Sequence, residues 1–548
     1  MPRFAEALRY WHTLRHLRPV QFHGRARFRL YRPRPDMSPP PPLGDVATPW
    51  IPAAARRPSL VGPRTFDLLN QAGSLDEAGW DDPGRDKLWR YHQHYFDDLN
   101  AAQAGERAAW HRALIDDWIA GNPPGRGSAW EPYPTALRIV NWIKWALAGQ
   151  ALSPAAVDSL AVQARWLRGR LEWHLLGNHL FVNAKALLFA GLFFGGREAR
   201  RWRSAGVAIL RRELDEQILD DGGHFELSPM YHALILEDVL DLVNLLRVFG
   251  PSLEVEDRVL LVECEAWVPA MRRWLRAMSH GDGDIALFND AAFAVAPAGA
   301  ELAGYAARLG FGDGGDLPDA MHLSASGYAR LARGEALLIA DMAAVGPDYI
   351  PGHAHADTLA CEFSLGAQRI IVNGGTSVYG AGPERLRQRG TAAHSTVVVA
   401  GRNSSDVWGG FRVARRARVH AARLGEAGGV LEAVAAHDGY RILPGRPIHH
   451  RRWLLSGDRL RVEDRLDPPA QDAAAIFHLH PDVVLEAQGP NEGRLILPGG
   501  RAVRWRAEGG ETVSAAGSWH PQFGRSIPNR HIVLPLRDGR SAFELIWA

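Results

Sequence analysis

Cysteine is nearly missing from this 548-residue chain; Cys264 and Cys361 are its only two. That scarcity excludes a disulfide framework and a cysteine-rich zinc site. No apolar run reaches the roughly 18 residues of a membrane-spanning helix. Net charge is almost absent too, with 63 Lys+Arg against 61 Asp+Glu, so no global field draws the chain to nucleic acid. The first 32 residues repeat arginine and lack the apolar stretch of a secretory signal. The expected location is therefore cytoplasmic, or periplasmic by a route the sequence does not reveal. At 46% hydrophobic and 23% charged, a disordered or collagen-like chain is also excluded. What the chain holds in quantity is tryptophan, 19, and histidine, 23. Indoles suit stacking on sugar rings, although many fill cores in any protein.

A length of 548 residues suits two or three domains at roughly 100–200 residues each. Residues 1–84 read as a basic N-terminal segment and a Pro-rich connector, with proline recurring from Pro33 to Pro63. The basic part predicts an amphipathic surface helix; the sharper reading is attachment to an acidic membrane surface or an acidic polymer. From 85 to 325, apolar residues at three/four spacing predict helices over 106–120, 134–149, 154–170, 179–194, 199–219, 229–249 and 255–278. Ser228 followed by Pro229 marks one helix start, placing Tyr231 in the first turn. From 326 to 548, short Val/Ile/Leu/Phe runs alternate with turn residues. They predict strands at 335–342, 359–365, 368–373, 395–399, 411–423, 448–455 and 474–480. The fold class is thus helices first, as serial hairpins in a bundle or toroid, and an antiparallel β-sandwich second.

Four polar clusters interrupt these patterns. Gly177-Asn178-His179 opens an apolar helix whose positive end favours a carboxylate. Asp220 to His232 crowds ionisable groups, Glu226 among them, around a Gly-Gly turn. In Gly352-His353-Ala354-His355-Ala356-Asp357, an extended backbone places His353, His355 and Asp357 on one face, a spacing suited to metal binding or acid/base work. Arg389 to Ser395 sets His394 before a strand, where with His355 it would complete a metal site. The competing structural readings are a capped helix, a capped loop and buried core histidines.

These clusters, in this order, resemble the heparinase II/III family of polysaccharide lyases. The resemblance rests on GNHLFVNAKAL and DGGHFELSPMYHALILEDVL in the helical half. In the second half it rests on HAHADTLACEFSLGAQRIIVNGGTSVYG and RQRGTAAHSTVVVAGRNSSDVW. It implies an incomplete α/α toroid followed by an antiparallel β-sandwich, and β-elimination of a uronic-acid-containing polysaccharide such as a bacterial exopolysaccharide. Tyr231 and His353 would share the roles of base and acid, which is which depending on the C5 configuration. Asn178 and His179 would stabilise the carboxylate, and Arg138, Glu226 and Tyr379 would bind substrate. A structural zinc would fall on His355 and His394, with Asn373 where the family has an Asp; a neutral amide is the weaker ligand.

That chemistry accounts for the residue types. The C5 proton of a uronate is weakly acidic until donors around its carboxylate stabilise the enolate-like state. A base then takes the proton and an acid protonates O4. Two other classes compete. A glycoside hydrolase on a toroid would need paired carboxylates, for which Asp220, Asp221 and Glu226 are candidates, leaving His353 and Tyr231 without a task. A non-catalytic polysaccharide-binding or assembly protein would bind acidic polymer without turnover.

Overall fold

The periodic apolar segments do fold as helices. The computed structural model describes residues 2–547. Its helices run Ala108–Gly121, Pro132–Leu147, Pro154–Gly169, Gly177–Phe193, Gly196–Gln217, Pro229–Val248 and Val255–Ala277, each within three residues of its predicted segment. Together they make the incomplete α/α toroid. Lys87–Tyr95 and Gly299–Arg308 are helices the periodicity does not reveal, because polar aromatics dilute the first and Ala/Gly the second. Sheets follow the helices in the chain. A five-stranded sheet (Ala320–Leu323 to Gln368–Ile371), an eight-stranded sheet and a four-stranded sheet, all antiparallel, share one core. In the eight-stranded sheet Ala433, Trp453, Val462 and Phe543 stand in register on the buried face, at roughly 1.5–3 kcal/mol for each large apolar side chain buried.

Three expectations need correction. The sheet begins at Ala320, ahead of the boundary placed at 325. The run 411–423 is not one strand. Arg412–Val413 pairs with Val407–Trp408, whereas Val419–Ala427 edges the eight-stranded sheet. Beyond Val413 the Ala414 amide donates to the Asp406 carbonyl at 2.9 Å and the Asp406 amide to the Arg415 carbonyl at 2.8 Å. The stretch after the Pro-rich connector is also more ordered than expected, with a three-stranded sheet over 60–74, whereas the basic segment folds as helices, Pro2–Leu14 and Pro19–Leu30, as its pattern predicts.

Two central helices position the polar clusters. Gly177–Phe193 is buried at every position except His179, and Pro229–Val248 is almost as enclosed. A helix apolar all round belongs in the middle of a core. The N-termini of both open at the same place, facing the loop 346–357 from the sandwich. A Cβ on Gly177, at φ +51°, would meet Glu226 Oε1 at 3.0 Å and Ile350 Cδ1 at 2.8 Å. Glycine is required there for both the left-handed conformation and the close approach.

Candidate active site

Ser228 caps the Pro229–Val248 helix by accepting the Tyr231 amide at 3.2 Å, and donates its own hydroxyl to the Asp290 carbonyl at 2.6 Å. Tyr231 is thereby pinned in the first turn. Its ring lies 3.9 Å from that of His353, centroid to centroid, and its hydroxyl is 3.0 Å from that of Tyr379. Burial, and then the neighbouring Tyr379, push the Tyr231 hydroxyl well above its ordinary range, so it holds its proton at neutral pH. His353 ends the short turn Pro351–His353, its side chain 15% exposed. Its Nδ1 bonds Asp290 Oδ2 at 2.8 Å, and its Nε2 faces Glu226 Oε2 at 3.5 Å. A carboxylate on Nδ1 keeps the proton there and leaves the Nε2 lone pair toward the pocket.

Asp290 and Arg385 are not among the sequence candidates, yet the site is built around them. Asp290 is fully buried and takes a two-pronged ion pair from the equally buried Arg385, the second prong at 2.6 Å. It also bonds His355 Nε2 at 2.9 Å. Burial alone would raise the Asp290 carboxyl, but Arg385 and the two imidazoles hold it well below the usual range. Arg385 lies 4.9 Å from the Tyr379 ring and 5.3 Å from that of Phe411. No local motif marks these two: Asp290 stands alone in an apolar stretch, and Arg385, beside Arg387 and Arg389, reads as a solvated face.

On the toroid side, Asn178 Nδ2 donates to the Tyr133 hydroxyl at 3.3 Å. His179, next to it, packs on the Tyr133 ring at 4.7 Å and bonds Glu172 Oε2 at 3.2 Å. Burial opposes protonation of His179, but Glu172 outweighs it and raises the imidazole above its ordinary value. Glu226 is 2% exposed and has an unpartnered Oε2; burial raises its carboxyl, against His353 and the Asn178 amide. Tyr133 and Glu172 thus join the site unpredicted. Arg138 leaves it. Its side chain is fully buried, donating to Gln163, the His94 carbonyl and Thr135 and stacking 3.8 Å from Trp118. It is a core residue of the toroid, out of reach of substrate.

His355, Asp357 and His394 offer ligand atoms within 4.8 Å of one another, all buried. Nδ1 of His355 and both ring nitrogens of His394 have no partner among the described residues. Burial lowers His355 to about 4 and His394 to about 3, which keeps both neutral, the form that ligates. Orphaned imidazole nitrogens beside a buried carboxylate fit a divalent cation. Asn373 is buried nearby, its Oδ1 accepting the Ser395 amide at 3.3 Å and its Nδ2 without a hydrogen-bond partner among the described residues. Asp357 supplies an acidic member of the group.

Comparison with known proteins agrees with the two-part fold. Residues 91–290 match the family model of the heparinase II/III N-terminus, and residues 315–548 that of the heparinase II/III-like C-terminal domain. The chain is 30% identical over 453 residues to FtsZ-localized protein C of Caulobacter vibrioides, covering 77% of this chain and 74% of that one. It is 25% identical to a heparin-sulfate lyase of Bacteroides stercoris over 33% of this chain and 32% of the lyase. Among solved structures, heparinase III superposes with a TM-score of 0.67 at 17% identity, covering 87% of this chain and 79% of that chain. Heparan sulfate lyase HepC from Pedobacter heparinus does so at 0.56 and 19%, covering 96% and 87%.

Proposed function

The chain belongs to the heparinase II/III-like family, and on that premise we propose that it is a polysaccharide lyase acting on a uronic-acid-containing polymer by β-elimination. The observation that carries the reading is the stacked pair Tyr231 and His353, 3.9 Å apart, beside the donors Asn178 and His179. His353, with its Nε2 lone pair free, acts as base toward the C5 proton. Tyr231, which keeps its proton, acts as acid toward O4. Asn178, His179, whose protonation Glu172 favours, and the helix N-terminus stabilise the carboxylate as the enolate-like state forms. Burial raises the Glu226 carboxyl, which weakens its repulsion of that carboxylate. The hydrolase reading loses two of its three candidate carboxylates. Asp221 is spent on the Gly223 amide and on Ser326, and Asp220 is exposed at the surface, which leaves Glu226 without a second carboxylate from this set.

The test is a screen of uronate polymers for new ultraviolet absorbance from unsaturated products. With a substrate in hand, Tyr231→Phe keeps the ring and removes the acid. Turnover should fall about 10²–10⁴-fold at unchanged thermal stability; near-normal turnover would remove Tyr231 from the mechanism. One relative is named for its localisation with FtsZ and not for an activity, which favours as a second reading the binding of acidic polysaccharide without turnover. Saturable polymer binding without unsaturated product would establish that reading.

His355, Asp357 and His394 would hold a zinc ion whose chemistry is structural, a fixed positive charge that ties the loop bearing His353 to the strand after His394. Elemental analysis of protein purified without chelators should find one zinc per chain, lost in both His394→Ala and Asp357→Asn.

A further inference from the structure

The two N-terminal helices are amphipathic the wrong way round for helices that only pack on a domain. Their inner faces hold them to the rest of the molecule. Tyr10 meets Trp408 edge to face at 5.1 Å, and the Trp408 indole donates to Thr13 Oγ1 at 3.1 Å. Arg18 lies 3.7 Å from the Tyr349 ring and pairs with Glu216, while Gln21 donates to the Tyr349 carbonyl at 3.2 Å. Phe28 packs on the His174 ring at 4.3 Å and under Arg170 at 3.7 Å. Gly24 sits so close to the backbone of Trp173 and His174 that a Cβ would approach to 2.8 Å. The hairpin is thus clamped to both domains without its outer faces.

Those outer faces carry apolar stripes. On Pro2–Leu14 the helical period runs Leu8, Trp11 and Leu14 along one side, with Tyr10 at its edge and Thr13 opposite, and Trp11 is 62% exposed. On Pro19–Leu30, Phe22, Ala26 and Leu30 fall at i, i+4 and i+8 opposite Gln21, Gly24 and Phe28, with Leu30 85% exposed. Among the described residues, nine of the nineteen exposed large hydrophobics lie between residues 8 and 37. Arginines border both stripes: Arg9 and Arg15 on the first, Arg25, Arg27 and Arg29 on the second. Residues 1–32 contain eight arginines and one glutamate, in a chain whose whole excess is two positive charges. The remainder is therefore net acidic.

We propose that the outer face of this hairpin is a docking surface for an anionic lipid bilayer, in which Leu8, Trp11, Leu14, Phe22 and Leu30 enter the headgroup–acyl boundary while the arginines meet lipid phosphates. Aliphatic side chains choose this occupant over an acidic polysaccharide, which would use the arginines and leave Leu8, Leu14 and Leu30 in water. Charge complementarity chooses an anionic over a zwitterionic surface. The acidic remainder of the molecule fixes the orientation, hairpin toward the membrane. The proposal is independent of the catalytic reading, since none of these side chains belongs to the candidate site.

The experiment is flotation of the full-length protein with vesicles of phosphatidylglycerol and phosphatidylcholine, or of phosphatidylcholine alone, at low and high salt. The protein should float with the anionic vesicles at low salt, fall away as salt rises, and ignore the neutral ones. Trp11→Ser with Leu30→Ser should weaken anionic-vesicle binding about tenfold or more, and Arg25→Gln with Arg29→Gln should weaken it while flattening the salt dependence. Both variants should keep the parent's circular dichroism and melting temperature, because the altered side chains face solvent. No flotation with anionic vesicles would overturn the proposal, as would flotation unchanged in both variants. So would binding that the same substitutions abolish toward soluble alginate and not toward vesicles, which would assign the face to an acidic polymer.

Discussion

Replacing Asp290 by asparagine would leave the buried Arg385 guanidinium without its counter-charge and two imidazoles without their common acceptor. An uncompensated buried charge costs roughly 3–5 kcal/mol, so Asp290→Asn should melt earlier. Its second effect is on geometry. With no carboxylate on Nδ1, the His353 proton redistributes to Nε2 and the pocket loses its base. Turnover of a uronate polymer should fall roughly 10²–10⁴-fold with KM little changed. Nitrogen NMR of His353 should show the tautomer shift, which simple destabilisation would not produce. A variant that melts early but turns over normally would make Asp290 a structural residue only. Tyr231, His353, Asn178 and His179 are legible in the sequence because each sits in a local motif. Asp290 is not, because its partners lie 63, 65 and 95 positions away in the chain. Arg138 misleads for the converse reason: a polar residue on an apolar helix resembles a ligand-binding residue until the core that encloses it is seen.

At the scale of elements, long apolar helices read best, because a segment such as Gly177–Phe193 has only one way to bury itself. The small sheet of Leu60–Gly62, Thr65–Leu68 and Gln71–Ser74 does not show in the pattern, its strands being short, polar in part and set behind a run of prolines. A neighbouring side chain holds it in place. Asp98, 6% exposed, accepts the amides of Ser59 at 2.7 Å and Leu60 at 3.0 Å, and bonds Arg107 and His111. Burial pushes its carboxyl up, but His111, Arg107 and the two amides outweigh burial and bring it down to about 2. A carboxyl depressed on folding stabilises the fold above its unfolded pKa, near 4, and the contribution disappears as pH falls through the folded value. The shift corresponds to about 2 kcal/mol. Asp98→Asn should therefore destabilise by about that amount at pH 7, and denaturant melts of variant and parent should converge between about pH 4 and pH 2. A difference that persists at pH 2 would mean the side chain acts by packing and not by charge.

For the whole molecule, the candidate site exists only where the two domains meet. The toroid brings Tyr231, Asn178 and His179 on two buried helix starts, the sandwich brings His353, Tyr379 and Arg385, and Asp290 stands in the passage between them. From the toroid side the pocket is faced by Asn178, by His179 bonded to Glu172 and by a helix N-terminus, so on the proposed reading the group received there is an anion. In a uronate that anion is also the electron sink for the C5 proton. Chemically reducing the carboxylates of an accepted polymer to primary alcohols leaves its backbone and linkages in place but removes both the charge the pocket binds and the sink the reaction needs. Cleavage should then fall below detection, while the unreduced polymer, degraded in parallel, yields 4,5-unsaturated sugars at the new non-reducing ends. Partially reduced polymer should be cut only at its remaining uronates, readable by mass spectrometry of the products. Cleavage of the fully reduced polymer at the native rate, or products with a hydroxyl at C4 in place of the double bond, would mean that bond breaking does not pass through C5, and His353 would have no proton to take.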